Sequence, residues 1–157
     1  MFTPLQRRMV AHAATMLLIA MVAGAGLLAS VIGGLEMWPG HIVSFEMPSN
    51  PAGWVRTHVG GILNAMLVML VALLIPGLGF ADAQARRLAL FLIGTGWANT
   101  LFYWAAMLSP NRALTFGGNR LGAGSVAAVV GLAPALIFVL LSLFAVGMLA
   151  RQAWRKG

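Results

Sequence analysis

The segment His58–Phe80, HVGGILNAMLVMLVALLIPGLGF, is the clearest sign of how this chain folds, because it is long, apolar and free of Lys, Arg, Asp and Glu. A helix needs about 20 mostly apolar residues to cross a bilayer. Three other runs meet the same requirement, so four spans can be drawn, at 9–35, 58–80, 88–108 and 125–150. They use most of the chain. The sequence therefore predicts one all-α membrane domain over residues 1–157, a four-transmembrane-helix bundle.

The composition agrees with a membrane protein: 61% of the residues are hydrophobic and 8% are charged, whereas soluble domains are about one-quarter charged. With no cysteine, the chain has no disulfide framework, thiolate metal site or thiol nucleophile. Arg7 and Arg8 precede the first run as they would in a secretory signal. That run is far longer than the roughly 7–15 residues of a signal core, so we interpret it as a retained helix.

The net charge of +7 is divided unequally between the two sides of the predicted bundle. Seven basic residues lie at the termini and in the turn 81–87, which share one side: Arg7, Arg8, Arg86, Arg87, Arg151, Arg155 and Lys156. The other side carries three: Arg56, Arg112 and Arg120. By the positive-inside rule, both termini face the cytoplasm. The basic residues form no stripe with interleaved aromatics, so we expect contact with membrane lipid rather than nucleic acid.

The two loops on the other side, 36–57 and 109–124, are rich in Pro and Gly, and both predict irregular structure. Pro76 and Pro134 lie inside spans and predict local bends. Glycines in the first two spans indicate close helix contacts rather than chemistry.

Three polar side chains are predicted at one depth in the bundle. Asn64 lies about 9 Å deeper than His58, because a helix rises about 1.5 Å per residue. The third span runs the opposite way, so Tyr103 lies roughly 7–8 Å from the same surface. Polar groups in hydrocarbon usually face a bundle interior, a cavity or a partner. Thr95 and Asn99 share a helix face with Tyr103 by their i, i+4, i+8 spacing.

The angle between His58 and Asn64 favours a large ligand. Six residues correspond to about 240° around a helix, so the two cannot point at one small ion. They can line a large flat ligand or serve sites on neighbouring subunits. A haem suits this better than zinc, which wants three or four ligands, and haem iron accepts one proximal histidine. Cationic partners for its propionates lie on the same side: Arg56, Arg112 and Arg120. A histidine at a helix end is often only an interfacial hydrogen-bonding residue, and that alternative stays open.

The chain resembles the styrene oxide isomerase family over essentially its whole length. The matching stretches are in order and without gaps: Arg7–His12 (RRMVAH), Gly53–His58 (GWVRTH), Leu63–Asn64, Leu78–Asp82 (LGFAD), Gly96–Asn99 (GWAN), Phe102–Tyr103, Ser109–Arg112 (SPNR) and Leu114–Gly117 (LTFG). The resemblance implies a multi-pass enzyme of the bacterial inner membrane, a homotrimer with haem b between adjacent subunits.

The resemblance also implies roles for individual residues. His58 would be the axial ligand of the haem iron, and Asn64 and Tyr103 would hold and orient the epoxide. Position 95 is acidic in the better-known members and is Thr95 here. Threonine can hydrogen-bond toward Asn99 or Tyr103 but supplies no negative charge.

The implied reaction converts an aryl epoxide such as styrene oxide to an aldehyde such as phenylacetaldehyde. A ferric iron with an open position would act as a Lewis acid on the epoxide oxygen, and Asn64 and Tyr103 would donate hydrogen bonds to it. A 1,2-hydride shift then gives the carbonyl, and an apolar pocket keeps out the water that would trap the cation as a diol. A monooxygenase that produces the epoxide is a candidate partner.

Two other classes compete with this interpretation. A non-enzymatic membrane haem protein, a sensor or electron carrier, would use a second axial histidine or a methionine, and ten methionines keep it open. A small transporter is disfavoured because the four spans contain no carboxylate or lysine.

Overall fold

The computed structural model describes residues 1–155, most of which lie in four helices: α1 (Pro4–Ile32), α2 (Pro51–Leu78), α3 (Asp82–Met107) and α4 (Val126–Trp154). All four are long and apolar enough to cross a membrane, which confirms the prediction of four membrane helices. Lys156, counted among the charges on the terminal side, lies outside the described residues.

Helices α1 and α2 begin five and seven residues before the predicted spans because a polar cap followed by proline starts each of them. Thr3 Oγ1 accepts from the backbone N–H of Gln6, and the Gln6 side chain accepts from the N–H of Thr3, a capping box that starts α1 at Pro4. Asn50 caps α2 through one bond, in which its Oδ1 accepts from the N–H of Gly53 at 3.0 Å. His58 consequently lies two turns inside α2 rather than at its beginning.

The first long loop differs most from the sequence prediction. Residues 36–57 were predicted to be irregular, but they contain most of an antiparallel hairpin and the first two turns of α2. The hairpin pairs β1 (Gly34–Trp38) with β2 (His41–Ser44), so the fold is not purely α. Gly40, one of the residues that suggested a loop, forms the hairpin turn with a left-handed backbone (φ 81°), and Gly33 (φ 69°) ends α1 inside the predicted first span.

In the bundle, α3 contacts all three other helices, and α4 packs mainly against α3. Small residues bring the helices close together. A Cβ on Gly61 of α2 would lie 2.7 Å from the Cβ of Ala20 in α1, and one on Gly131 of α4 would lie 2.7 Å from the Cβ of Ala105 in α3. The largest fully buried apolar side chains come from α1, α2 and α3: Met9, Met16, Val68, Val71, Leu88 and Leu92.

Side-chain amides join the helix ends remote from His58. Helix α2 continues through Pro76, which has no N–H to give to the carbonyl of Ala72 one turn earlier. Buried Gln6 supplies the missing donor, with its Nε2 at 2.9 Å from that oxygen. In α4, Gln152 Nε2 donates to the carbonyls of Leu78 and Gly79 at 3.0 and 3.2 Å. These bonds hold the ends of α1, α2 and α4 together.

Candidate active site

The imidazole of His58 is half-buried between α2 and α1, and its Nδ1 lies 2.8 Å from the carbonyl oxygen of Ala20. A carbonyl oxygen only accepts, so Nδ1 carries the proton and Nε2 keeps its lone pair. This is the tautomer in which a histidine binds a metal through Nε2 while its other nitrogen donates to the backbone. The local geometry therefore suits His58 for axial ligation.

The ring packs against α1 at Gly24, where any larger residue would collide with it. A Cβ on Gly24 would lie 2.7 Å from His58 Cε1 and 2.8 Å from Nδ1, closer than real side chains approach. The glycines of this span were predicted to be packing residues, and the contact between Gly24 and His58 was not predicted. Its spacing of four from Ala20, the hydrogen-bond acceptor, was the available signal, because both residues then share one helix face.

The other polar residues form a second group, between α2 and α3. Asn99 Nδ2 donates to Asn64 Oδ1 at 3.0 Å, and Asn64 Nδ2 donates to the carbonyl of Gly60 at 2.8 Å. The ring of Tyr103 lies on Gly60, where a Cβ would be 2.7 Å from Cζ and 2.9 Å from the hydroxyl oxygen. We refer to Asn64, Asn99 and Tyr103 as the amide–phenol cluster. All three side chains are half-buried.

His58 and the amide–phenol cluster lie on opposite flanks of α2. His58 contacts Ala20 and Gly24 of α1, whereas Asn64 contacts Asn99 of α3. The buried strip of α2 that includes Thr57 lies between them, and Thr57 bonds within α2 and toward the carbonyl of Tyr103. The wide angle predicted between positions 58 and 64 is therefore present. One chain does not direct both groups at a common space.

Thr95 lies away from the amide–phenol cluster. Its Oγ1 lies 2.7 Å from the carbonyl of Phe91 and 3.2 Å from the carbonyl of Phe138 in α4. The expectation that it bonds toward Asn99 or Tyr103 was wrong. Each step of four residues turns a helix by about 40° beyond a full turn, so Thr95 and Tyr103 are about 80° apart and face different neighbours. Thr95, 6% exposed, joins α3 to α4.

Two of the three predicted propionate partners lie beside the amide–phenol cluster. Arg56 and Arg112 line a narrow cleft together with Tyr103. Both arginines are half-buried. Arg120 is exposed in the second loop and does not line this cleft.

Asn111 organises the second loop, which the sequence predicted to be irregular. It is fully buried, and its Nδ2 donates to the carbonyls of Thr115 and Gly117 at 2.8 and 2.7 Å. Its Oδ1 accepts from the N–H of Ala113 at 3.0 Å. This network holds the left-handed backbone of Arg112 (φ 56°) at the cleft. Asn111 was not predicted to have this role, although it lies in the Ser109–Arg112 stretch that matches the family.

The tryptophans near these groups are packing residues in this chain. Trp104 meets buried Trp54 edge to face, with ring centroids 5.8 Å apart, and Trp97 donates from Nε1 to His12 Nδ1 at 3.2 Å. Among residues 1–155, Trp104 Nε1 is the one buried side-chain polar atom without a hydrogen-bond partner. The same residues contain no cluster of three His, Asp or Glu side chains that could hold a metal ion, but ligation of haem iron by one histidine needs no such cluster.

Comparison with known proteins shows the relationship directly. A sequence model of the family described as styrene oxide isomerase matches residues 5–154. A protein of Pseudomonas fluorescens named styrene-oxide isomerase is 40% identical over 151 residues, which cover 96% of this chain and 89% of the relative. The matched region contains His58, Gly24 and the whole amide–phenol cluster. The chain belongs to the styrene oxide isomerase family.

Proposed function

We propose that this chain is a haem b-dependent membrane isomerase that converts aryl epoxides, such as styrene oxide, to aldehydes, such as phenylacetaldehyde. Membership of the family supports the isomerisation. The single observation that supports haem binding is the hydrogen bond from His58 Nδ1 to the carbonyl of Ala20, which leaves the lone pair of Nε2 available for the iron. Arg56 and Arg112 are placed to pair with carboxylates beside Tyr103.

The positions of the two polar groups support a site shared between copies of the chain. His58 and the amide–phenol cluster occupy opposite flanks of α2, so a flat cofactor between adjacent subunits can meet the imidazole of one and the cluster of the next. The homotrimer implied by the family resemblance provides this arrangement. Asn64 is half-buried between α2 and α3, and α4 packs mainly on α3 rather than on α2.

When bound, ferric haem b supplies a Lewis acid for the epoxide oxygen. The chain itself supplies donors. Asn64 Nδ2 uses one hydrogen on Gly60 and retains one, and the Tyr103 hydroxyl lies close by above Gly60. Both can donate to the oxygen as negative charge develops there. A donor placed in this way typically raises kcat by a factor of about 10²–10³. Asn99 holds the Asn64 amide in the orientation that this requires.

The scarcity of carboxylates suits this reaction. A 1,2-hydride shift needs no general base, and the three acidic residues, Glu36, Glu46 and Asp82, lie in the hairpin, in the loop after it and at the first residue of α3. The apolar helices keep water from the cation. We place the enzyme in the bacterial inner membrane with both termini cytoplasmic. A monooxygenase that makes the epoxide is its proposed supplier.

The test is an absorption spectrum of the detergent-purified protein followed by an assay for phenylacetaldehyde formed from styrene oxide. We expect a Soret band that shifts when an epoxide analogue is added. His58→Ala should lose most of the haem and the activity. Full haem occupancy in that variant would remove His58 as the ligand. A six-coordinate spectrum indifferent to added epoxide would favour an electron carrier over the isomerase.

A further inference from the structure

A cavity of about 570 Å³ opens between the first turns of α1 and α3 and the last turn of α2. It lies at the opposite end of α2 from His58, so it is separate from the site described above. Its apolar surface comes from all three helices and the turn between α2 and α3: Leu5, Ile75, Pro76, Phe80 and Ala85. Three charged side chains, Arg8, Arg86 and Asp82, also line it.

The cavity is at the depth of lipid headgroups. Helix α1 has 29 residues and is therefore about 43 Å long, which exceeds the roughly 30 Å of bilayer hydrocarbon. Its ends must extend into the headgroup layers. Arg8 is the fifth residue of α1 and Arg86 is the fifth residue of α3. Both guanidinium groups thus lie near the boundary between headgroups and acyl chains, with the apolar surface beside them.

The charges favour an anion. Two guanidinium groups against one carboxylate give the lining a charge of +1, and guanidinium binds phosphate oxygens in a bidentate manner. The first turn of α3 adds to this, because Ala81 gives it no side-chain cap and its backbone N–H groups carry partial positive charge. A soluble phosphate would satisfy the arginines but leave the apolar surface uncovered.

We propose that this cavity binds one anionic phospholipid, with its phosphodiester at Arg8 and Arg86 and its upper acyl carbons against the surface formed by Leu5, Ile75 and Phe80. A lipid held there contacts α1, α2 and α3 together and stabilises the end of the bundle that Gln6 also ties together. The proposal does not depend on haem or on the isomerase reaction.

The test uses the full chain in mild detergent and follows its unfolding midpoint during titration with dioleoylphosphatidylglycerol. Parallel titrations use dioleoylphosphatidylcholine and inorganic phosphate. The double variant Arg8→Gln/Arg86→Gln is compared with Arg7→Gln/Arg87→Gln, which removes the same charge from exposed neighbours outside the cavity. We expect phosphatidylglycerol alone to raise the midpoint, and the cavity variant to need roughly tenfold more of it for half-saturation. The control variant should stay within about twofold of the parent protein.

Several results would overturn the proposal. Equal weakening in the two double variants would indicate diffuse surface charge. An equal response to phosphatidylcholine, or the full response from inorganic phosphate, would exclude an anionic lipid as the ligand. Asp82→Asn should leave the response to phosphatidylglycerol unchanged or stronger, and a weaker one would mean that a zwitterionic headgroup is preferred. Arg8→Lys/Arg86→Lys keeps both charges without the planar fork and should give an intermediate affinity.

Discussion

Gly24 and His58 are matched across the contact between α1 and α2: the imidazole occupies the space where any larger residue at position 24 would place its Cβ, 2.7 Å from Cε1. The contact also brings Nδ1 to the carbonyl of Ala20, at 2.8 Å. Gly24 thus leaves room for the ring, and the carbonyl of Ala20 determines which of its nitrogens carries the proton.

Gly24→Ala should displace the imidazole and break its bond to Ala20, so haem content per protein should fall by about an order of magnitude, as it does when partners of a metal-bound histidine are lost. The measurement is Soret absorbance relative to protein. Gly77→Ala is the matched control, because a Cβ on Gly77 in α2 meets nothing within 4 Å. Normal haem in Gly24→Ala would mean that the ring position is unimportant for ligation.

Tyr103→Phe removes a donor from the amide–phenol cluster without changing the ring that packs on Gly60. We expect kcat to fall by a factor of about 10²–10³, while the haem content stays near that of the parent protein. Steady-state kinetics with styrene oxide, together with the absorption spectrum, separate the two effects. Unchanged kinetics would rule out the assigned role.

Asn99→Leu tests whether Asn99 positions Asn64. The substitution removes the donor to Asn64 Oδ1 and leaves the Asn64 amide held only by its bond to the carbonyl of Gly60. Because one hydrogen bond is worth about 0.5–1.5 kcal/mol, kcat should fall about two- to thirteenfold. Haem content should not change. If kcat were as low as in Asn64→Ala, Asn99 would act directly on the substrate instead.

Thr95→Val tests the assignment of Thr95 to the contact between α3 and α4. Loss of its bonds to Phe91 and Phe138 should lower the free energy of unfolding by about 1 kcal/mol. Turnover and haem content should stay within about twofold of the parent protein, because Thr95 makes no bond to the amide–phenol cluster. A twofold change in kcat corresponds to about 0.4 kcal/mol of activation free energy. A large loss of kcat without a loss of stability would place Thr95 in the active site after all.

Gln6→Met leaves the carbonyl of Ala72 without its donor inside the bundle, which should cost about 1–3 kcal/mol of unfolding free energy. Thr3→Ala removes only the cap hydroxyl of α1 and should cost about 1 kcal/mol. Unfolding followed by helical circular dichroism compares the two. A smaller effect in Gln6→Met than in Thr3→Ala would show that the Ala72 carbonyl finds another partner.

The sequence predicted the four helices because crossing a bilayer imposes a length and an apolar composition that can be counted. It did not predict the hairpin, because Pro39 and Gly40 are as compatible with an irregular loop as with a tight turn. The start of α2 was placed seven residues late, since hydropathy marks the membrane rather than the helix, and Asn50 and Pro51 extend the helix beyond it.

Within the candidate site, depth along a helix was easier to predict than direction around it. Asn64 and Tyr103 were placed in one layer, and the structure brings them together on Gly60. Thr95 was grouped with them on its i, i+4, i+8 spacing. That spacing places residues on one face only approximately, because each step of four residues turns about 40° beyond a full turn. The contact between Gly24 and His58 was not predicted, because a glycine in the sequence does not indicate which side chain packs against it.

The packing of α4 mainly on α3 bears on how the molecule is made. During synthesis the N-terminal part of a chain folds first, and α1, α2 and α3 already contact one another. These three helices contain His58, its contacts Ala20 and Gly24, and the amide–phenol cluster. The three helices that carry the candidate site residues can thus pack together while α4 is still emerging from the ribosome, and α4 then adds its contact with α3.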